Sequence, residues 1–137
     1  WLIVGLIPAV ATAQEHAADV TIVPPDSQAW NPGAAGYAEA EFSRMFGNPR
    51  ESGPFAFRMR MPADWTMPPH VHNTAEHITV LSGTLEMSFD RGGERVALPA
   101  GSFVSIPAGR PMWAWTAGEP VILQVHGIGP FRTTPVE

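Results

Sequence analysis

The densest run of metal-ligating side chains is Pro68-Pro69-His70-Val71-His72-Asn73-Thr74-Ala75-Glu76. On an extended strand, residues i and i+2 face the same side, so His70 and His72 present two imidazoles to one point. If the chain stays extended through Asn73-Thr74-Ala75, Glu76 keeps that parity and its carboxylate closes the set. Two neutral imidazoles and a carboxylate suit a divalent transition metal, with positions left open for water, oxygen or substrate. Pro68 and Pro69 stiffen the approach and reduce the entropy lost when the site orders. In isolation the same residues read as two surface histidines beside a glutamate; a β-rich setting favours the site.

That setting is visible on both sides of the run. Phe55, Phe57, Met59 and Met61 alternate with Ala56, Arg58 and Arg60, the period of a strand with one face inward. Residues 76–81 and 84–89 form the next pair, joined at Ser82-Gly83, and Asp90-Arg91-Gly92-Gly93 is a hairpin turn. Arg95 to Leu98, Ser102 to Ile106, Met112 to Thr116 and Val121 to His126 read as further strands between Gly/Pro turns. Upstream, Val20 to Val23 reads as a short strand stopped by Pro24-Pro25. Residues 26–36 read as a loop, and Tyr37 to Phe46 as a strand whose Ala38-Glu39-Ala40-Glu41 also suits a helix. Short, evenly spaced strands with turn residues between them predict an all-β sandwich or barrel.

His70-x-His72-x3-Glu76-x6-Gly83 resembles the first motif of the cupin family in order and spacing, and Gly101-x5-Pro107-x-Gly109 resembles the opening of the second. The resemblance covers about residues 55 to 128. It implies a single-domain jelly-roll β-barrel with a metal inside, often as a homodimer, and metal ligands at His70, His72 and Glu76. Two departures stand out. The glycine that usually opens the first motif is Asp64, and the histidine that usually supplies a fourth ligand is Met112, with Thr116 where an asparagine is usual.

Three readings of the fourth position compete. The position is open and Met112 is apolar lining, the commonest role of methionine. Alternatively His126 or Gln124 on the last long strand completes the coordination or orients a water. As a third reading, the Met112 thioether binds the ion, a soft donor that favours Cu(I). Trp65, Met59 and Ile78 are expected to line the pocket. His77 has the opposite parity to Glu76 and is expected to face away. Trp113 and Trp115 lie opposite Met112, as sheet packing, a dimer interface or a sugar-stacking platform. Arg58 and Arg60 are either solvated or available to a carboxylate substrate.

Composition excludes other classes. The chain of 137 residues carries 8 Lys+Arg against 13 Asp+Glu, a formal charge of -5, so it has no electrostatic footprint for nucleic acid or anionic membrane. With no cysteine, thiolate ligands, cysteine nucleophiles and disulfides are unavailable. Leu2 to Ala11 is nearly all apolar and is followed by Ala11-Thr12-Ala13 and then Gln14-Glu15-His16. That pattern reads as the core and cleavage site of a secretory signal peptide over residues 1–13, too short for the ~20 residues of a bilayer span. It predicts a secreted or periplasmic protein. Residues 14–54 then form an N-terminal arm with the first strands, 55–130 the barrel and 131–137 a C-terminal tail. The expected function is a metal-dependent oxidoreductase of oxygenase or oxidase type, with Cu, Mn, Fe or Ni as cofactor and a small organic or saccharide substrate. The alternatives are a noncatalytic metal- or sugar-binding cupin and a metal-dependent isomerase or lyase.

Overall fold

A computed structural model describes residues 20–137; the signal-peptide reading of residues 1–13 lies outside the described residues. Eleven strands are present among them: β1 Asn31–Pro32, β2 Glu41–Phe46, β3 Gly53–Met61, β4 Thr66–His72, β5 Glu76–Ser82, β6 Thr84–Ser88, β7 Val96–Pro99, β8 Phe103–Ile106, β9 Met112–Thr116, β10 Val121–Gly129 and β11 Thr133–Pro135. They form two antiparallel sheets, one ordered β1-β2-β3-β10-β5-β8 and the other β11-β4-β9-β6-β7. This is the all-β, two-sheet barrel that the strand spacing predicts. Val20 to Val23 is not a strand: it leads without regular structure into a short 3-10 turn at Pro25–Ser27, and the two prolines that follow cannot donate to a ladder. Tyr37 lies in the turn before β2 rather than in the strand.

The inner faces of the two sheets supply the core. Phe55, Met59 and Met61 of β3, Ile78 and Val80 of β5, Leu85 and Met87 of β6, Met112 and Ala114 of β9, and Val121, Leu123 and Val125 of β10 are all buried. Five methionines lie in this core, where an unbranched thioether fills irregular gaps that branched side chains leave. The tail is part of the barrel: β11 pairs with β4, with Thr133 opposite His72 and Pro135 opposite His70.

Two local features set the direction of β4, the strand that carries His70 and His72. Asp64 is the one described non-glycine residue with positive φ, at 54°. The missing motif glycine is therefore a left-handed turn position, and aspartate is among the few residues that tolerate it. The Thr116 hydroxyl donates to the Pro62 carbonyl at 2.6 Å and accepts from the Trp65 amide at 2.9 Å, clamping the same turn. Further on, the β4–β9 pairing is irregular between Met67 and His70. Pro68 and Pro69 have no N–H to give the ladder, and the extra residue resets the alternation. Met67 and His70, three residues apart, are consequently both buried.

Candidate metal centre

His70, His72 and Glu76 all turn inward and are nearly inaccessible, at 4%, 5% and 5% exposed. The His70 and His72 rings stand edge to face with centroids 4.8 Å apart. His72 Nε2 and Glu76 Oε2 are 3.5 Å apart, and neither atom has a hydrogen-bond partner.

Each imidazole is held from behind through Nδ1. His70 Nδ1 lies 2.7 Å from the Pro68 carbonyl, and His72 Nδ1 lies 3.2 Å from the Arg132 carbonyl. A carbonyl only accepts, so both Nδ1 atoms carry the proton and both Nε2 atoms are left with lone pairs. Asn73 secures the second anchor: its side-chain N–H donates to the Pro130 carbonyl at 2.9 Å, and its amide oxygen accepts from Arg132 N at 2.6 Å. Phe131 stacks on the His72 ring at 4.0 Å, and the Thr133 hydroxyl lies 3.3 Å from His72 Nδ1. The Tyr37 hydroxyl lies 3.2 Å from His70 Nδ1, and its ring meets both His70 and Trp65 edge-on.

Burial governs the protonation of the group. It pushes His72 down to about 4, helped by the neighbouring His70 and partly opposed by the Arg132 carbonyl. It also lowers His70, against the pull of the Pro68 carbonyl. The same burial pushes the Glu76 carboxyl up to about 8, and it raises the Tyr37 hydroxyl, with the Glu76 charge adding to the effect. Both imidazoles are thus neutral and Glu76 holds its proton at neutral pH.

As placed, no three His, Cys, Asp or Glu side chains among the described residues form a ready-made cation site. The chemistry of the set nevertheless fits a cation. A neutral imidazole lone pair facing a carboxylate oxygen needs positive charge between them, either a proton or a metal ion. Imidazoles whose second nitrogen is fixed by a carbonyl are pre-oriented ligands.

The remaining candidate residues divide by strand parity. Met112 is buried directly across the ladder from His70. Trp65, Met59 and Ile78 are buried in the core. Gln124 and His126 do not approach the site and are corrected as candidates. Leu123, Val125 and Gly127 are the inward residues of β10, whereas His126 is exposed and Gln124 accepts from Arg58 on the outer face. His77 faces outward, as its parity predicts. Arg60 pairs with Glu41 at 2.7 Å and lies over Trp30, so neither Arg58 nor Arg60 reaches the interior. Trp115 lies outside the barrel under the Arg95 guanidinium, 3.8 Å from its ring. Sequence reasoning missed Tyr37, Asn73, Phe131 and Thr133, which act from an N-terminal turn, a loop and the tail; only Asn73, inside the motif, carried a local signal.

A family model for a domain of unknown function, DUF4437, matches residues 19–137. The chain belongs to the DUF4437 family. No curated protein matches it by sequence. Among solved structures, this DUF4437 chain is similar to an RmlC-like cupin protein from Ralstonia eutropha, with a TM-score of 0.68 and 16% identity over 85% of this chain and 76% of that one. It is equally similar to the polyketide cyclase RemF from Streptomyces resistomycificus, with a TM-score of 0.68 and 20% identity over 86% and 87% of the two chains. The DMSP lyase DddQ from Ruegeria pomeroyi matches with a TM-score of 0.65 and 23% identity, over 81% of this chain and 61% of that one. The fold of the DUF4437 chain is the cupin jelly roll, a fold whose members commonly bind a metal.

Proposed function

We propose that this chain is a mononuclear-metal enzyme that performs acid–base chemistry on a small, uncharged organic substrate. The observation that carries the reading is the buried, partnerless pair of His72 Nε2 and Glu76 Oε2, beside two imidazoles whose Nδ1 protons are tied to carbonyls. His70, His72 and Glu76 would hold the ion, which supplies Lewis acidity toward a substrate oxygen.

The chain's own residues provide the rest. The His70 Nδ1 proton goes to the Pro68 carbonyl and to the Tyr37 oxygen, which leaves the Tyr37 proton free for a bound molecule. With its pKa raised, Tyr37 stays protonated and acts as a hydrogen-bond donor or general acid. Phe131 and Trp65 make the surroundings aromatic. No arginine is buried among the described residues, and the sequence has no lysine. A substrate carboxylate would therefore find no side-chain cation inside, which favours an uncharged molecule. Two fold neighbours are, by name, a cyclase and a lyase, in keeping with proton chemistry.

The oxidase or oxygenase expectation is the second reading. Met112 favours it, because its thioether lies across the ladder from His70 and a soft donor there suits copper. Metal analysis followed by turnover of a carbonyl and phenol panel separates the two. Activity that persists without oxygen and with zinc substituted supports the first reading; oxygen consumption with a redox-active ion supports the second. Tyr37→Phe should lower turnover by about 100-fold with the metal content unchanged. Full activity in metal-free protein would end both readings. Export and homodimer formation belong to the same proposal, and N-terminal sequencing of the mature chain and light scattering test them.

A further inference from the structure

Outside the barrel, a second pair of imidazoles stands on the outer face of the six-stranded sheet. His77 of β5 and His126 of β10 are direct register partners. Their ring centroids are 5.0 Å apart with the planes inclined by 32°. Phe103 of β8 stacks beside His77 at 6.1 Å and lies 6.4 Å from His126. The pair borders a surface cleft of about 480 Å³ shared with Thr74, Pro54 and Ile128. Two buried polar atoms along this cleft have no hydrogen-bond partner, His77 Nδ1 and Thr74 Oγ1. His126 is exposed and His77 half-buried; His77 Nδ1 is closed off from solvent, which leaves Nε2 as the nitrogen that His77 can offer.

We propose that His77 and His126 chelate a divalent transition-metal ion at a surface site independent of His70, His72 and Glu76. Directly opposed residues on neighbouring strands have Cβ atoms about 5 Å apart, so two rings leaning together can offer one nitrogen each to a shared point. Imidazole nitrogens select Cu²⁺, Ni²⁺ or Zn²⁺ over Mg²⁺ or Ca²⁺. No carboxylate borders the cleft, so two imidazoles are the whole side-chain donor set apart from the Thr74 hydroxyl. Such a site exchanges its ion with solvent and does not trap it.

The five histidines of the sequence make a direct test available. Replacing His16, His70 and His72 with alanine leaves only the proposed pair. Titration of that variant with Cu²⁺ should show one saturable equivalent whose electron paramagnetic resonance spectrum reports two nitrogen ligands. Adding His126→Ala should abolish that equivalent. No saturable uptake by the folded triple variant, or uptake indifferent to His126→Ala, overturns the proposal. In the unaltered chain, Zn²⁺ should shift the ring resonances of His77 and His126 along one common titration curve. Movement of the interior rings alone would also overturn it. Because the interior ligands are absent from the first experiment, its outcome is separate from that of the proposed function.

Discussion

The two histidine pairs of this barrel are built on opposite principles. His70 and His72 lie on one strand, face inward, and have each Nδ1 held by a backbone carbonyl. His77 and His126 lie on two strands and face outward; His77 Nδ1 has no partner, and His126 is exposed to water. Glu76 and His77 are adjacent in sequence, yet one enters the core and the other the outer cleft. The difference teaches that the orientation of an imidazole pair is set by what stands behind it. The inner rings are pre-oriented by fixed hydrogen bonds and share a carboxylate; the outer rings have only proximity.

The sharpest way to break this comparison is to delete each pair. His70→Ala with His72→Ala should remove tightly held metal, an effect larger than the roughly 100-fold loss that follows removal of an outer hydrogen-bond partner. His77→Ala with His126→Ala should leave it in place; metal analysis after exhaustive dialysis reads both outcomes.

A titration sharpens it next. Ion uptake at the inner site must displace the Glu76 proton, so its affinity should fall by about tenfold per pH unit as pH drops below about 8. Metal-free protein should carry the same signature in its stability. The Glu76 pKa is raised from 4.5 to about 8 by folding, so the folded state holds the extra proton, and its contribution is full below 4.5 and lost as pH rises through about 8. The His72 pKa is lowered from 6.5 to about 4, so its contribution is full above 6.5 and lost as pH falls through about 4. Thermal melts of chelator-treated protein should therefore decline on both sides of mildly acidic pH, and the loss on the alkaline side should vanish with metal bound.

A smaller effect tests the anchoring itself. Asn73→Ala frees the 130–132 segment and with it the Arg132 carbonyl behind His72. Inner-site affinity should drop by about 10-fold to 100-fold, while Cu²⁺ uptake by the outer pair stays unchanged. An equal loss at both sites would show that Asn73 supports the whole barrel and not one ligand. Smallest of all, Asp64→Gly should raise stability by about 0.5–1 kcal/mol, measured by urea unfolding, because glycine adopts positive φ without the Cβ clash. It should leave both pairs untouched.

Much of the inner site was legible in the residue order. His70 and His72 share a face because parity along β4 is local, but the chain bends at Asn73-Thr74 and does not stay extended, so Glu76 meets them from β5 of the opposite sheet and not by strand parity. The Ser82-Gly83 turn is where Gly83 takes φ 73° beside the Pro120 carbonyl. The orientation of β10 was not legible. Ile122-Leu123-Gln124-Val125-His126 has apolar residues in both parities, so only its register with β3 and β5 selects Leu123 and Val125 for the core. Nor did the tail announce itself: Phe131 and Thr133 matter because β11 closes onto β4.

By itself, the order of residues determined the class of fold, most turn positions and the inward pairing of His70 with His72, since each depends on neighbours a few residues apart. Tertiary structure alone decided which imidazole nitrogens are free, that Glu76 comes in from the opposite sheet and keeps its proton, that Tyr37 stands beside His70, and that His126 meets His77 outside and not the inner site. Those outcomes depend on burial and on hydrogen-bond partners tens of residues away, which no local pattern encodes.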